Sequence, residues 1–126
     1  MNSRKPISFI GTSRPTEAVS FYRDVLELEL IEDTPFALVF SDGGQMLRVQ
    51  KLPELAPAQH TVHGWQVTDI EIEIISLAGK GVGFLRFERL EQSPSGVWTS
   101  PDGHKVAWFK DPCGNNLSLT QFATGQ

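Results

Sequence analysis

The chain contains one pattern twice: residues 37–50 are ALVFSDGGQMLRVQ and residues 106–120 are VAWFKDPCGNNLSLT. Each copy has an apolar run that ends at an aspartate, a turn with a glycine, and a second run in which apolar and polar residues alternate. The second copy has one residue more in its turn. Such runs on both sides of a turn are typical of a β-hairpin. We therefore predict that each half ends in the same hairpin, with Arg48 equivalent to Ser118.

A strand and a helix are predicted ahead of the first hairpin. Ile7–Thr12 is short and apolar, which favours a strand. The helix that follows is expected to have Ser13 as its N-terminal cap and Pro15 in its first turn. Its apolar positions fall on one helical face, and they are Ala18, Phe21, Tyr22 and Val25. Strands are then predicted at Leu28–Ile31, Phe36–Phe40 and Met46–Leu52. The first half is thus predicted to have the order βαβββ.

The second half is predicted to repeat this order. Thr61–Val67 predicts a strand, and Thr68-Asp69-Ile70-Glu71 has the form of a capping box that opens a helix, which ends near Gly79. Ile70, Ile72 and Ile74 alternate with glutamates, a spacing that favours a strand, whereas the cap and the repeat favour a helix. The remaining strands are predicted at Phe84–Leu90, Gly96–Ser100, Lys105–Lys110 and Asn115–Gln121.

The repeat also predicts the domain organisation. Its period of about 70 residues is too long for a solenoid, so two units that face each other are expected rather than a stack. We predict a single α+β domain over residues 1–126. Module one is predicted at residues 1–52, a linker rich in Pro and Ala at 53–59, and module two at 60–126.

Composition narrows the classes of function. The chain has 126 residues, 40% of them hydrophobic, and a formal net charge of −4. This balance disfavours nucleic acid or an anionic membrane as the partner, because both select clustered Lys and Arg. No basic start followed by an apolar core marks a signal peptide, so a cytoplasmic protein is expected. The single cysteine, Cys113, predicts neither a disulfide nor a thiolate zinc site.

Three motifs carry a resemblance to a known family. They are FYRDVL at residues 21–26, VTD at 67–69 and, above all, DPCGNNLSL at 111–119. On these motifs the chain resembles the vicinal oxygen chelate superfamily, which includes glyoxalase I, extradiol dioxygenases, and fosfomycin- and bleomycin-resistance proteins. The family usually has Asp where Cys113 stands. The resemblance implies two paired βαβββ modules whose curved mixed sheet surrounds a small-molecule cleft, often completed in a homodimer.

The resemblance also implies where a metal would bind. Metal-dependent members place four side chains, usually His and Glu, in the cleft. The matching positions here are Ile7, Arg48, Val62 and Ser118, and none of them is a competent ligand for a divalent ion. We therefore predict no metal and no cofactor. The alternation along its strand turns His63 away from the cleft, although a shift of one residue in register would bring it in. His60 is expected at the surface and His104 beside a turn.

The same alternation predicts a ligand-binding face. Its members are Met46, Arg48 and Gln50 on one terminal strand, Asn116, Ser118 and Thr120 on its repeat partner, Gln66, and Trp108. Trp108 is predicted to stack on the ligand, with a core tryptophan as the alternative. Arg48 is predicted to meet an anionic ligand, because a charge inside a cleft is costly unless it is paired. The alternative partner is an internal carboxylate such as Glu73 or Glu88.

Three functions remain open from the sequence. The first is a metal-free protein that binds a small molecule in the cleft, as bleomycin-resistance proteins bind their drug. The second is an enzyme of the same superfamily, either a lyase or isomerase that uses cleft acids and Arg48, or a metal-dependent member such as a dioxygenase. The third is an interaction domain whose cleft is filled by its own side chains. The expected partners are a small molecule and a second copy of the chain.

Overall fold

The computed structural model describes residues 3–124. Its strands are β1 (Ile7–Thr12), β2 (Glu29–Asp33), β3 (Ala37–Asp42), β4 (Gln45–Lys51), β5 (His63–Gln66), β6 (Trp98–Thr99), β7 (Lys105–Lys110) and β8 (Asn116–Gln121). Helix α1 (Pro15–Val19) continues as a π-helical segment (Ser20–Val25), and helix α2 is Ile70–Ala78. The strands form two four-stranded sheets, so the predicted α+β class with two βαβββ modules is confirmed.

The chain divides into two compact units. Unit 1 comprises the residues up to Pro57 together with Asp111–Asn115, and unit 2 comprises Ala58–Lys110 together with the residues from Asn116 onward. The turn at 111–115 thus belongs to unit 1, although it lies between two strands of unit 2. Within the described residues, no helix has the length and apolar character needed to cross a membrane.

The sheet of unit 1 has the order β1-β4-β3-β2, with β1 parallel to β4 and the other neighbours antiparallel. One face carries the core, which includes Ile10, Phe40, Leu47 and Val49, all at most 4% exposed. Tyr22 of the π-helical segment lies with its ring centroid 5.7 Å from that of Phe40, so the helix covers this face. The apolar stripe of the predicted helix is therefore what holds it on the sheet.

The start of α1 differs from the prediction. Arg14, not Ser13, is the N-cap residue, and it makes no capping hydrogen bond through its side chain. The Thr12 hydroxyl accepts the Arg14 N–H instead, at 3.0 Å. Ser13 is not available as a cap because its N–H and hydroxyl both lie 3.2 Å from the Cys113 sulfur. A contact with a residue distant in sequence thus replaces the local cap.

The sheet of unit 2 has the order β5-β8-β7-β6, with β5 parallel to β8. Its core face carries Phe109, Leu117 and Leu119, and α2 contacts the two central strands, β7 and β8. In α2, Ile70 and Ile74 are buried whereas Ile72 is 62% exposed, which confirms the helical spacing over the strand spacing. Asp69, rather than Thr68, is the cap, and its side chain accepts the Ile72 N–H at 3.2 Å.

The predicted strand Phe84–Leu90 is wrong. Within Phe84–Leu90 only Phe84 forms a β-bridge, to Phe109. The segment from 84 to 97 is a loop that folds around the Gln92 side chain and has a second bridge, from Gln92 to Trp98. The Gln92 carboxamide accepts the Phe87 N–H at 2.7 Å and donates to the carbonyls of Leu85 and Gly96. A side chain therefore supplies the hydrogen bonds that a neighbouring strand would have supplied. The predicted strand Gly96–Ser100 shortens to β6, with the Gly96 carbonyl bonded to Gln92 and the Val97 N–H bonded to the Ser93 hydroxyl.

Candidate functional site

Each sheet has one face covered by its helix and one face turned away from it, which we call the open face. Residue pairing in the two hairpins follows the sequence repeat: Val39 pairs with Arg48 on the first, and Trp108 pairs with Ser118 on the second. Leu47 and Leu117 lie on the covered faces, both 0% exposed. Because side chains alternate along a strand, Arg48 and Ser118 therefore lie on the open faces of their own sheets.

The open face of unit 1 holds three of the predicted site residues, Met46, Arg48 and Gln50. Met46 is 40% exposed and lines a cavity of about 580 Å³ at the turn between β3 and β4. Arg48 is partly buried between Phe9 and Val39 in the sheet, and it forms no ion pair with any residue that the structure describes. Among the described residues, therefore, no carboxylate neutralises Arg48 in the way that the alternative prediction requires.

The open face of unit 2 holds the other five, which are Gln66, Trp108, Asn116, Ser118 and Thr120. In the register of the sheet, Trp108 pairs with Ser118, and Gln66 pairs with Thr120. Ser118 is 8% exposed, and Gly64 lies beside it so closely that a Cβ on Gly64 would lie 2.5 Å from the Ser118 hydroxyl. The small side chains at this point let β5 and β8 approach, but they leave the Ser118 hydroxyl little access to a ligand.

Trp108 is surrounded by aromatic rings on this open face. Its ring is perpendicular to that of Phe87, with centroids 5.3 Å apart, and it lies 6.3 Å from the ring of Trp98 at a tilt of 39°. Edge-to-face pairs of this kind hold a ring in one orientation. Trp108 is nevertheless only partly buried, because a cavity of about 200 Å³ lies against it.

This cavity, which we call the Trp108 cavity, combines apolar walls with polar and cationic groups. Its walls include Phe87, Leu90 and Trp108, and its polar lining includes His60, Arg89 and Asn116. The Asn116 amide is already engaged, since its Oδ1 accepts the Thr61 hydroxyl at 3.1 Å and its Nδ2 donates to the Gln59 carbonyl at 3.4 Å. Asn116 therefore shapes the cavity by holding the chain ahead of β5.

A second cavity in unit 2 has a different character. The Trp98 cavity, of about 470 Å³, is lined by Glu71, Glu91, Trp98 and Lys105 among others. The Ser95 hydroxyl donates to the Glu71 carboxylate at 2.9 Å. Two acidic side chains thus line this cavity, and none lines the Trp108 cavity.

The positions at which the resemblance implies a metal do not suit one here. Ile7 pairs with Met46, and the Val62 N–H donates to the carbonyl of Asn116, so Ile7 and Val62 are equivalent in their two sheets. Both are hydrocarbon side chains, and Arg48 and Ser118 at the remaining positions are a permanent cation and a hydroxyl. Within the described part of the chain, no three His, Cys, Asp or Glu side chains come together as a metal site would require. These donors do not fit a divalent ion.

The histidines have other surroundings. His63 pairs with Leu117 on the covered face, where its ring is perpendicular to that of Trp65 at 4.9 Å. His104 accepts the Ala123 N–H on Nδ1 at 3.0 Å and lies edge-on to Phe122. His60 is exposed and is the histidine that lines the Trp108 cavity.

The motif DPCGN at residues 111–115 has a structural role that requires no ligand. Asp111 is 6% exposed, and its carboxylate accepts four hydrogen bonds, from the Tyr22 hydroxyl, the N–H groups of Cys113 and Asn115, and the Asn115 amide. The Asn115 amide also donates to the Gly11 carbonyl at 2.8 Å. Gly114 has a φ of 90°, which a side chain would strain. The motif thus fixes the turn on β1 and the helix of unit 1.

Cys113 projects from this turn toward Ser13. Desolvation opposes ionisation of its thiol, but hydrogen bonds from Ser13 and Thr12 outweigh it and lower its pKa. Cys113 is a free thiol and is partly buried.

The sequence did not indicate Phe87 and Arg89 as site residues. The predicted strand Phe84–Leu90 contains both residues, and alternation along an extended segment places them on the same side, which is the one signal that the sequence offers. Their position depends on Gln92, a residue without any motif. The binding roles predicted for the eight open-face residues stay predictions.

Comparison with known proteins agrees with this architecture. The family model described as Glyoxalase/Bleomycin resistance protein/Dioxygenase superfamily matches residues 7–119. No curated protein sequence matches the chain significantly. Among solved structures, a lactoylglutathione lyase from Agrobacterium tumefaciens is 19% identical, with a TM-score of 0.73 and 94% of this chain and 93% of that chain covered.

Two further structures show the same fold. A glyoxalase/bleomycin resistance protein/dioxygenase from Nocardioides is 19% identical with a TM-score of 0.72, covering 98% of this chain and 87% of that one. One from Alicyclobacillus acidocaldarius is 17% identical with a TM-score of 0.69, covering 97% and 93%.

Proposed function

Because the chain belongs to the glyoxalase/bleomycin resistance protein/dioxygenase superfamily, we propose that it binds a small planar molecule in the Trp108 cavity and that it does so without a metal ion. The observation that carries this proposal is the state of Trp108. Its ring is held by Phe87 and Trp98, yet it remains partly exposed to a cavity. A fixed aromatic face beside an open space is suited to stacking.

The size of the cavity limits the ligand. A cavity of about 150 Å³ lined by apolar side chains accommodates benzene, so about 200 Å³ leaves room for one ring and a small substituent. His60, Arg89 and the backbone around them supply the polar contacts that orient a ligand in such sites. A fused polycyclic ligand would extend beyond the cavity.

The absence of suitable metal donors supports the metal-free part of the proposal. The family's metal positions carry Ile7, Arg48, Val62 and Ser118 in this chain, and a ligand must therefore be held by stacking, hydrogen bonds and charge. An enzymatic role is the second candidate. It is favoured by His60, since an imidazole that lines a ligand cavity is a side chain of the kind that serves as a general acid or base.

The test uses four single-ring probes: phenol, benzamide, benzoate and benzylamine. Their binding to the full chain is measured by isothermal titration calorimetry, and each probe is recovered and analysed by NMR to detect turnover. We expect at least one probe to bind, and we expect Trp108→Leu to weaken that binding about tenfold, because stacking contributes on the order of 1 kcal/mol or more.

The matched control is Trp65→Phe. Trp65 lies on the covered face of the same sheet, with its ring parallel to that of Phe109 at 6.3 Å, so its replacement should leave probe affinity unchanged. Binding that survives in Trp108→Leu at wild-type strength, or an absence of binding by all four probes, would contradict the proposed site.

A further inference from the structure

The Trp108 cavity carries positive charge in a protein that is acidic overall. Of its lining residues, Arg89 is a permanent cation and none is Asp or Glu, whereas the chain as a whole has a net charge of −4. The neighbouring Trp98 cavity takes the opposite character from Glu71 and Glu91. The loop from 84 to 97 therefore places Arg89 on one cavity and Glu91 on the other.

Arg89 has no carboxylate partner among residues 3–124. Arg14–Glu17, Arg23–Asp24 and Lys51–Asp33 form ion pairs in unit 1, and Arg89 takes part in no ion pair with a described residue. Arg89 is flanked in sequence by Glu88 and followed by Glu91, yet neither lies within 4.0 Å of its guanidinium. Its donors are thus not committed to a neighbouring acid while it lines the cavity.

Arg86, by contrast, shows how the same loop uses an arginine for structure. Its guanidinium donates to the carbonyls of Gln92, Ser93 and Pro94 at 3.0 to 3.3 Å. Arg86 therefore stabilises the loop, and the loop in turn presents Arg89 beside Phe87 and Trp108.

We infer that the ligand of the Trp108 cavity is a small aromatic anion, with a carboxylate or a group of the same shape held by Arg89 and its ring stacked on Trp108. This inference rests on the proposed function. The planar guanidinium presents paired N–H donors that match the two oxygens of a carboxylate. Lys110 lies exposed on the same strand face, two residues beyond Trp108, and adds to the positive potential there.

The test compares two probes of nearly equal shape, benzoate and benzamide, by calorimetry on the full chain. We expect wild type to bind benzoate about tenfold more tightly than benzamide, since hydrogen bonds between charged groups are about twice as strong as neutral ones. Arg89→Gln should remove this difference and leave benzamide affinity unchanged. Arg89→Lys should retain part of it. Raising the salt concentration should weaken benzoate binding alone.

The control variant is Lys80→Gln. Lys80 lies in the turn after α2, and its replacement removes the same charge from the helix side of unit 2. We expect it to leave the preference for benzoate unchanged, which excludes an effect of net charge.

The outcomes separate the two proposals. Equal binding of benzoate and benzamide in wild type, or tighter binding of benzylamine, would overturn the anion inference while the stacking site stands. An unchanged preference in Arg89→Gln would also overturn it. If no probe binds, or if Trp108→Leu binds benzoate like wild type, the proposed function itself fails and the inference with it. Circular dichroism and Tm of each variant verify folding, and Arg89 is exposed, so its replacement should leave both unchanged.

Discussion

Replacing Tyr22 with phenylalanine is expected to destabilise the protein by about 2 kcal/mol without altering its fold. Tyr22 is 0% exposed, and its hydroxyl donates to Asp111 at 2.6 Å. A hydrogen bond to a charged group contributes roughly 1.5–3 kcal/mol. The ring contact with Phe40 is retained in the variant, and Asp111 keeps its other three donors. The loss should therefore be limited to one hydrogen bond, with a fall in Tm on the order of 8 °C.

The pH dependence of the free energy of unfolding provides a second test of this prediction. Burial, followed by the neighbouring Asp111 carboxylate, raises the pKa of Tyr22 well above its usual range. In the unfolded chain Tyr22 ionises near pH 10, whereas the folded protein keeps it protonated. A raised pKa in the folded state means that the stability from this group is present below about pH 10. Above it, stability falls by about 1.4 kcal/mol per pH unit.

The assay measures the ionisation of Tyr22 directly. Tyr22 is the single tyrosine of the chain, so the absorbance of tyrosinate reports this group alone. We expect no tyrosinate in the folded protein above pH 10 until unfolding, seen by circular dichroism, begins. Urea unfolding at neutral pH measures the loss in Tyr22→Phe. In the Asp111→Ala background the same replacement should cost little, because its partner is gone.

Two results would refute this reasoning. One is a tyrosinate signal that develops near pH 10 while the circular dichroism stays native. The other is an equal cost of Tyr22→Phe in the presence and absence of the Asp111 carboxylate. Either result would show that the hydroxyl does not stabilise unit 1 through Asp111.

Two further predictions concern the loop and the metal positions. Gln92→Met should weaken benzoate binding and increase proteolysis between residues 84 and 97, because the carbonyls of Leu85 and Gly96 lose their donor, at about 1–3 kcal/mol. The control is Ser76→Met at an exposed position of α2, and equal behaviour of both variants would contradict the role of Gln92. Zinc, nickel or manganese added to chelator-treated protein should leave Tm unchanged, because the side chains at the four implied metal positions are not ligands. Binding of stoichiometric metal that is lost in His63→Ala would show that this reasoning is wrong.

The hairpins could be predicted from sequence because burial of one face dictates them. Phe40 and Phe109 occupy equivalent places, and both are 0% exposed on the covered faces. A period-two pattern with one buried face allows a single register. The Arg48 and Ser118 positions followed from that register without any knowledge of the fold.

The cap at Ser13 and the loop from 84 to 97 could not be predicted in the same way. Ser13 contacts Cys113, a residue far away in the chain, and the loop is closed by the side chain of Gln92. Local patterns describe neighbours along the chain, whereas both of these arrangements depend on partners that the fold brings in. The alternation of Phe84–Leu90 was consistent with a strand, and nothing in those residues marks the glutamine that displaces it.

The place where the two halves differ most is also the place where the candidate site lies. In unit 1, the second strand of the module is the edge strand β2, which pairs with β3 from Glu29 to Asp33. In unit 2, the corresponding stretch has only the two residues of β6 in a ladder, and the preceding chain forms the loop that carries Phe87 and Arg89. A change in the structure of either central hairpin would disturb a core, whereas an edge strand is paired with one neighbour and can be shortened more easily. A duplicated fold can therefore acquire a binding cavity at such an edge at little cost to its stability, and the side chains of that edge, rather than the family's metal positions, are where the specificity of this protein is expected.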